Sequence, residues 1–266
     1  MLLCLLYMTI KKGKKLQPSV KFPVILLSIF VLGFAAGQYI VLANIFSKTS
    51  KQKTETRQYI GEEITLPAPN LFGSTSVEEA MQNRRSRRAY VENEALTIEQ
   101  VSQILWSLQG QTADWGGRTV PSAKNAYPLN VTLVAKNVTD LAPGVYHYIP
   151  ENNSLKKVVE DVPANFDEAA IQAQNKSAPV SFIISGDYSL MAKAFDGESR
   201  DENVVLEAGH AGQNAYLQAE SLGLGTVVSG GFNQDLMKEI LKIPSQEDLF
   251  YLIPVGIPAV ETGASH

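Results

Sequence analysis

The chain has 266 residues, a formal net charge of −4 and one cysteine, Cys4, which excludes a disulfide framework and a thiolate metal cluster. From Tyr59 onward it carries 14 basic and 26 acidic residues, net −12, which excludes nucleic acid and anionic surfaces as partners.

The first 58 residues read differently from the rest. Phe22 to Phe46 is apolar apart from Ser28, Gln38, Tyr39 and Asn44, long enough to cross a bilayer at about 1.5 Å per residue. Lys11, Lys12, Lys14, Lys15 and Lys21 precede it, whereas Lys48, Lys51, Lys53 and Arg57 follow with Glu55. This small bias favours an inside N-terminus. The expected organisation is a cytoplasmic basic segment at 1–21, one membrane-spanning helix at 22–46, a polar linker at 47–65, an extracytoplasmic domain at 66–258 and a tail at 259–266. A cleaved signal is the alternative, with Gly33 to Gly37 as a poor cleavage site, and a buried core helix is a third reading. Met8 is a second candidate start, which would remove Cys4. Four sequons, at Asn130, Asn137, Asn152 and Asn175, support export only weakly.

Leu66 to Pro69 reads as an extended arm. Ser76-Val-Glu-Glu79 has capping-box spacing and predicts a short helix with Val77, Ala80 and Met81 on one side. Thr97-Ile-Glu-Gln100 opens a second helix whose Ile98, Val101, Ile104, Leu105 and Leu108 repeat at three and four until Gly110. Strands are predicted at Val131–Ala135, Gly144–Tyr148, Leu155–Val159 and Val180–Ile184, the middle two as a hairpin around Glu151–Ser154. Val204–Leu222 is apolar or small around its whole circumference, as a central buried helix would be, with Gly223 as its cap. Two further strands at 225–229 and Leu249–Val255 flank a helix at Asp235–Leu241. Without strict βαβ alternation the pattern is α+β.

Arg84-Arg85-Ser86-Arg87-Arg88 concentrates four of the domain's 14 basic residues. Guanidinium forks and a hydroxyl suit a phosphate dianion, although a solvated helix end explains the same residues. Pro121 to Pro128 is a turn-rich loop whose hydroxyl, amide and phenol groups suit a polar heterocycle edge. Gly223-Leu-Gly225 is no dinucleotide fingerprint, because it follows a helix and Val228 stands at the third glycine position. Gly230 and Gly231, after a short strand, let backbone N–H groups approach a flat ligand. Glu207, His210 and Asn214 share one helix face at steps of three and four, as a hydrogen-bonded network or at an active site. Glu207 and His210 lack the second copy that a di-metal site needs, so no metal is expected. No nucleophile triad, P-loop or paired-carboxylate signature stands out.

In order, Arg84–Tyr90, Leu105–Gly110, Arg118–Ala123, Tyr127-Pro128, Pro143–Tyr148, Glu207–Asn214, Leu222–Gly225 and Pro254–Gly256 resemble the nitroreductase superfamily, the SagB/ThcOx-type dehydrogenases in particular. The resemblance covers roughly residues 66–258. It implies an α+β fold with a central mixed or antiparallel sheet flanked by helices. It also implies an intertwined homodimer with FMN at the interface, and hydride chemistry through the flavin N5. By that pattern Arg84, Arg85, Ser86 and Arg88 would hold the FMN phosphate and ribityl chain. Pro121, Ser122 and Ala123 would reach the flavin from the other subunit, with Asn125 in the same loop. Ser229, Gly230 and Gly231 would lie along the N5 edge. Ala208, Gly209, Ala211, Gly212 and Ala215 would pack at the dimer interface. His210, Tyr127 and Arg200 are the catalytic candidates.

Three departures qualify this. Lys193–Asn203 lacks the Lys-Tyr pair of azoline-oxidising members, and no Lys or Arg follows Gly256 to finish the phosphate site, leaving Arg118 or Lys124 as substitutes. An exported domain would not meet cytosolic NAD(P)H, which points to a quinol, a reduced small molecule or the substrate as donor. The expectation is a membrane-anchored FMN oxidoreductase acting on a small molecule. The alternatives are an azoline or peptide dehydrogenase and a non-catalytic flavin-binding module.

Overall fold

A computed structural model describes residues 55–259. The expected membrane segment at 22–46 lies outside the described residues, among which no helix is long and apolar enough to cross a membrane. The elements in chain order are β1 (Ile60–Thr65), α1 (Val77–Asn83), α2 (Ile98–Gln109), β2 (Leu129–Ala135), β3 (Gly144–Ile149), β4 (Ser154–Val159), α3 (Phe166–Ala170), α4 (Ala173–Ser177), β5 (Val180–Asp187), α5 (Tyr188–Ala194), α6 (Asp201–Ser221), β6 (Gly225–Thr226), α7 (Gln234–Ile240) and β7 (Glu247–Gly256). The sheet has seven strands in the order β1-β4-β3-β2-β5-β7-β6. Every named pair is antiparallel, which decides between the two sheet types expected.

Helix boundaries follow local chemistry. The Ser76 hydroxyl accepts from the Glu79 N–H, and Thr97 and Gln100 form a complete reciprocal capping box at the start of α2. Gly110 ends α2 as expected, in an extended conformation, φ −60°. Its glycine is explained by Trp106, whose ring lies 2.2 Å from where a Cβ would stand. Gly223 does take the left-handed form, φ 68°. Leu224 N–H donates to Ala219 O at 2.8 Å and Gly223 N–H to Glu220 O at 3.0 Å, the paired bonds of a Schellman ending to α6.

Both sheet faces are covered. On one, α2 and α6 pack over Leu133, Phe182, Ile184 and Ile253; on the other, Val134, Ile183 and Leu252 meet Phe166 of α3 and Met237 and Ile240 of α7. This is the period-two alternation of strands buried on both sides. Gly186 sets how closely α6 approaches β5, since a Cβ there would stand 2.7 Å from Phe250 and 2.9 Å from Val204.

Two expectations need correction. The apolar side of α1 is not buried: Ala80 alone turns inward, while Val77 and Met81 are exposed. Residues 60–65, expected as the end of a linker, form the sheet's edge strand β1, paired with β4.

The segment ahead of β1 is pinned by a buried ion pair. Arg57 Nη2 donates to Glu247 Oε2 at 2.6 Å, with side chains only 5% and 6% exposed, and the Ser185 hydroxyl donates to the same oxygen at 2.6 Å. Tyr59 stacks on His147, and the two share a hydrogen bond of 2.8 Å. Burial, then Arg57 and Lys156, pushes the His147 imidazole down to about 3, so it is neutral and takes no part in acid–base chemistry near pH 7. Arg57→Ala leaves the Glu247 carboxylate buried beside a single hydroxyl and is expected to cost about 3–5 kcal/mol in denaturant unfolding. A loss below about 1 kcal/mol, as for an exposed pair, would show that the strap contributes little.

Candidate functional site

Two groups of polar residues flank α6, one near each end. At the C-terminal half, the arginine segment lies beside β6. Ser86 bridges Thr226, and Arg87 N–H donates to Thr226 O at 2.9 Å. Tyr216 of α6 locks the arrangement: its hydroxyl lies 3.0 Å from Ser86 Oγ and accepts from Val228 N–H at 3.0 Å, while the Arg84 guanidinium sits 5.0 Å over its ring. Sequence reasoning passed over Tyr216, whose only signal was its place on the α6 turn following Gly212. That glycine lets α6 approach Val228, 3.3 Å from a hypothetical Cβ.

The arginines divide by role. Arg87 faces Glu220 at 3.6 Å. Arg84, Arg85 and Arg88 meet no carboxylate among the described residues; Arg85 donates to the Gln82 and Arg84 carbonyls and Arg88 to the Ser86 carbonyl. Three guanidinium groups in a net-acidic domain, held by carbonyls and one aromatic ring, retain donors and undiminished charge for an anion.

From β6 the chain continues past this group to the paired glycines. Ser229 exchanges both backbone hydrogen bonds with Leu252, and Gly231 N–H reaches Ser229 Oγ at 3.4 Å. Of the three amides expected at the N5 edge, Gly230 alone presents a backbone N–H with no acceptor among the described residues. Gly230 is exposed, and a Cβ built on it would find nothing nearer than Phe250 O at 4.0 Å. The Gln172 carboxamide, which sequence reasoning also passed over, accepts from Ser229 Oγ at 3.0 Å and lies against Gly231.

At the N-terminal half of α6 stands the loop of Pro121 to Tyr127. The Ser122 hydroxyl donates to Glu207 Oε2 at 2.6 Å and accepts from Tyr127 N–H at 2.8 Å. Lys124, Asn125 and Tyr127 all have positive φ, between 45° and 54°, a local strain that this pair of hydrogen bonds holds in place. Glu207 is 2% exposed, and burial raises its carboxyl to about 7 against lowering by Ser122 and Arg118.

The catalytic candidates do not converge. His210 is exposed on α6 and makes no hydrogen bond among the described residues. It does not share the Glu207 and Asn214 face: Glu207 points to the loop, and Asn214 Nδ2 donates to Ser107 O at 3.0 Å on α2. Tyr127 accepts from Arg118 N–H and lies under its guanidinium at 4.9 Å, whereas Arg200 pairs with Glu198 and sits over Phe195. The substitutes for the missing C-terminal base are likewise engaged, Arg118 by Glu151 and Gln109 and Lys124 over Phe195.

The expected interface set on α6 also divides. Ala208, Ala211, Gly212 and Ala215 are buried in the chain's own core, because their positions turn toward the sheet and α2. Gly209 alone faces outward, with no atom within 4 Å of a hypothetical Cβ, beside Val205 and Leu206, which are 51% and 62% exposed.

Comparison with known proteins agrees with this architecture. The Nitroreductase family profile matches residues 81–257. A protein of Methanocaldococcus jannaschii named as a nitroreductase is 35% identical over 74% of this chain and 98% of its own length. Another, from Methanothermobacter thermautotrophicus, named as an NADH dehydrogenase or NAD(P)H nitroreductase, is 26% identical over 78% of this chain and 90% of its own. A crystal structure described as a nitroreductase from Anabaena variabilis superposes with a TM-score of 0.64 at 26% identity, covering 74% of this chain and 42% of that one. The chain therefore belongs to the nitroreductase family and is an oxidoreductase.

Proposed function

We propose that this chain is an FMN-dependent oxidoreductase working as a homodimer, in which the arginine half of one copy and the 121–127 loop of the other enclose each flavin. The observation that carries the reading is that Arg84, Arg85 and Arg88, which meet no carboxylate among the described residues, flank the strand that runs on from Thr226 to the open Gly230 amide. Thr226 to Gly230 covers about 13 Å of extended chain, a span that suits a phosphate at one end and a fused ring at the other.

Within one chain the two halves stand apart. Glu207 and Tyr216 are separated by about 13–14 Å along α6. A twofold axis crossing α6 near its exposed Gly209 sets the N-terminal half of one copy against the C-terminal half of the other. FMN, when bound, supplies a two-electron hydride acceptor and donor at N5. The chain's own groups then divide the work. Arg84 and Arg88 neutralise the phosphate, with Ser86 oriented toward it by Tyr216. The Gly230 N–H donates to the ring edge, and the Cβ-free strip lets the ring lie close to backbone. The Lys193–Asn203 stretch lacks the Lys-Tyr pair of azoline-oxidising relatives, so a small-molecule substrate is preferred over a peptide. The anchor at 22–46 and an extracytoplasmic domain complete the reading and call for a donor other than NAD(P)H.

Arg84→Ala or Arg88→Ala removes a charge-assisted contact and is expected to weaken FMN about 10- to 100-fold while leaving riboflavin, which has no phosphate, nearly unchanged. Equal losses for the two flavins would place the arginines elsewhere. Gly230→Ala meets open space and no backbone strain, so unfolding should change by less than about 0.5 kcal/mol while flavin binding falls sharply. Wild-type affinity in that variant would remove the strip from the ring site. For the donor, flavin bound to the full chain should stay oxidised with NADH or NADPH and bleach with a quinol; rapid bleaching by NADH would contradict the extracytoplasmic reading.

A further inference from the structure

Ser122 has one hydroxyl proton and two lone pairs. The proton goes to Glu207 Oε2 at 2.6 Å, and one lone pair takes the Tyr127 N–H at 2.8 Å. The half-buried side of Ser122 thus presents only its second lone pair. If Glu207 carries a proton on Oε2, the Ser122 hydroxyl rotates so that a lone pair faces Oε2 and accepts that proton, and its own O–H takes the outward position. The two protonation states of one buried carboxyl therefore give the loop opposite hydrogen-bonding characters at the same atom.

We propose that Glu207 is a positioning residue that decides whether Ser122 meets the neighbouring copy's flavin as a hydrogen-bond acceptor or as a donor. The inference rests on the reading of the 121–127 loop as a flavin contact. Three observations support it. Glu207 is 2% exposed, and its second oxygen, Oε1, is buried with no hydrogen-bond partner among the described residues, a costly place for a full charge but a tolerable one for a neutral carboxyl. Three residues just after Ser122, namely Lys124, Asn125 and Tyr127, are held left-handed, and Ser122 is tied on both sides by Glu207 and the Tyr127 N–H, so it has little freedom to turn away. The surrounding charges do not override the carboxyl: Arg118 is the charged group that acts on it, and its guanidinium is shared with Glu151 and Gln109. Lys124 on the same loop turns to Phe195, and His210 on the same helix is turned to solvent. Burial raises the carboxyl to about 7, so both states are populated near neutrality.

The sign of the linkage is fixed. Because the folded carboxyl titrates near 7 and the unfolded one near 4.5, the folded chain holds more protons between these values, and stability falls as pH rises through that window. An outward donor suits the carbonyl oxygens and unprotonated nitrogens that dominate a flavin edge, so the protonated state should bind the ring better.

The test uses the full chain, wild type, Glu207→Gln and Ser122→Ala, in two measurements. Thermal unfolding without flavin is followed from pH 5 to pH 8: wild type should lose stability across the range, and Glu207→Gln should lose markedly less. FMN affinity is then titrated by fluorescence quenching at pH 6 and pH 8. The phosphate itself titrates near pH 6, so the quantity read is the difference between wild type and variants. Wild type should favour the lower pH by about three- to tenfold more than either variant, the worth of one hydrogen bond. Equal pH dependence of FMN affinity in all three proteins would overturn the inference and leave the FMN reading standing. Absence of FMN binding at every pH would overturn both, while the unfolding curves would still report whether Glu207 buries a proton.

Discussion

Close contact between α6 and the sheet is the constraint on which the rest depends. Gly186 on β5 and Gly212 on α6 remove the two Cβ atoms that would hold the helix off, and Ala208, Ala211, Ala215 and Ala219 continue the small-residue face. With that face buried, the opposite face is committed to the outside, and Val205, Leu206 and Gly209 stand there without cover in the single chain. The same rotation directs Glu207 to the 121–127 loop and Tyr216 to Ser86, so one helix carries an attachment for each half of the proposed site.

On the proposed two-copy reading, this geometry explains why a single chain would hold only fragments of a flavin site. Among the described residues, the cationic half has charge and an open backbone N–H but no turn-rich polar loop; the loop half has Ser122, Asn125 and Tyr127 but no uncommitted cation, since Arg118 is shared between Glu151 and Gln109 and Lys124 covers Phe195. On that reading, placing them toward opposite ends of one helix would make the site a property of two copies. The proposed dimer surface and flavin contacts would then be parts of one structure, so a change on α6 would alter both.

Much of this was legible in the sequence, and what was not has identifiable causes. The caps at Ser76 and Thr97, the β3–β4 hairpin and the Schellman glycine all rest on interactions spanning a few residues, and those were found. β1 was missed because IGEEIT has almost no apolar alternation: as an edge strand with mostly exposed side chains it is held by backbone pairing to β4, a partner some 90 residues away. The orientation of α6 was misread because alanine and glycine carry little amphipathic signal, so the inward set could not be told from the outward Gly209. His210 looked catalytic through its spacing from Glu207, but a step of three residues is 300° of rotation, and here that difference separates a buried face from solvent. Tyr216 and Gln172 act through contacts with residues more than 50 positions away along the chain, which no local pattern reveals.

The measurement that bears most directly on a two-copy site is complementation between defective chains. One variant carries Arg84→Ala with Arg88→Ala, the other disrupts the loop at Ser122 and Asn125, and FMN is supplied at a concentration where each alone is expected to stay empty. Co-expressed and isolated as mixed dimers through two different tags, they are predicted to recover one FMN site per dimer, formed by the intact arginine half of one chain and the intact loop of its partner. Mixed dimers that bind no flavin, with both chains folded, would place the arginines and the loop around the same ligand within one chain and contradict the account.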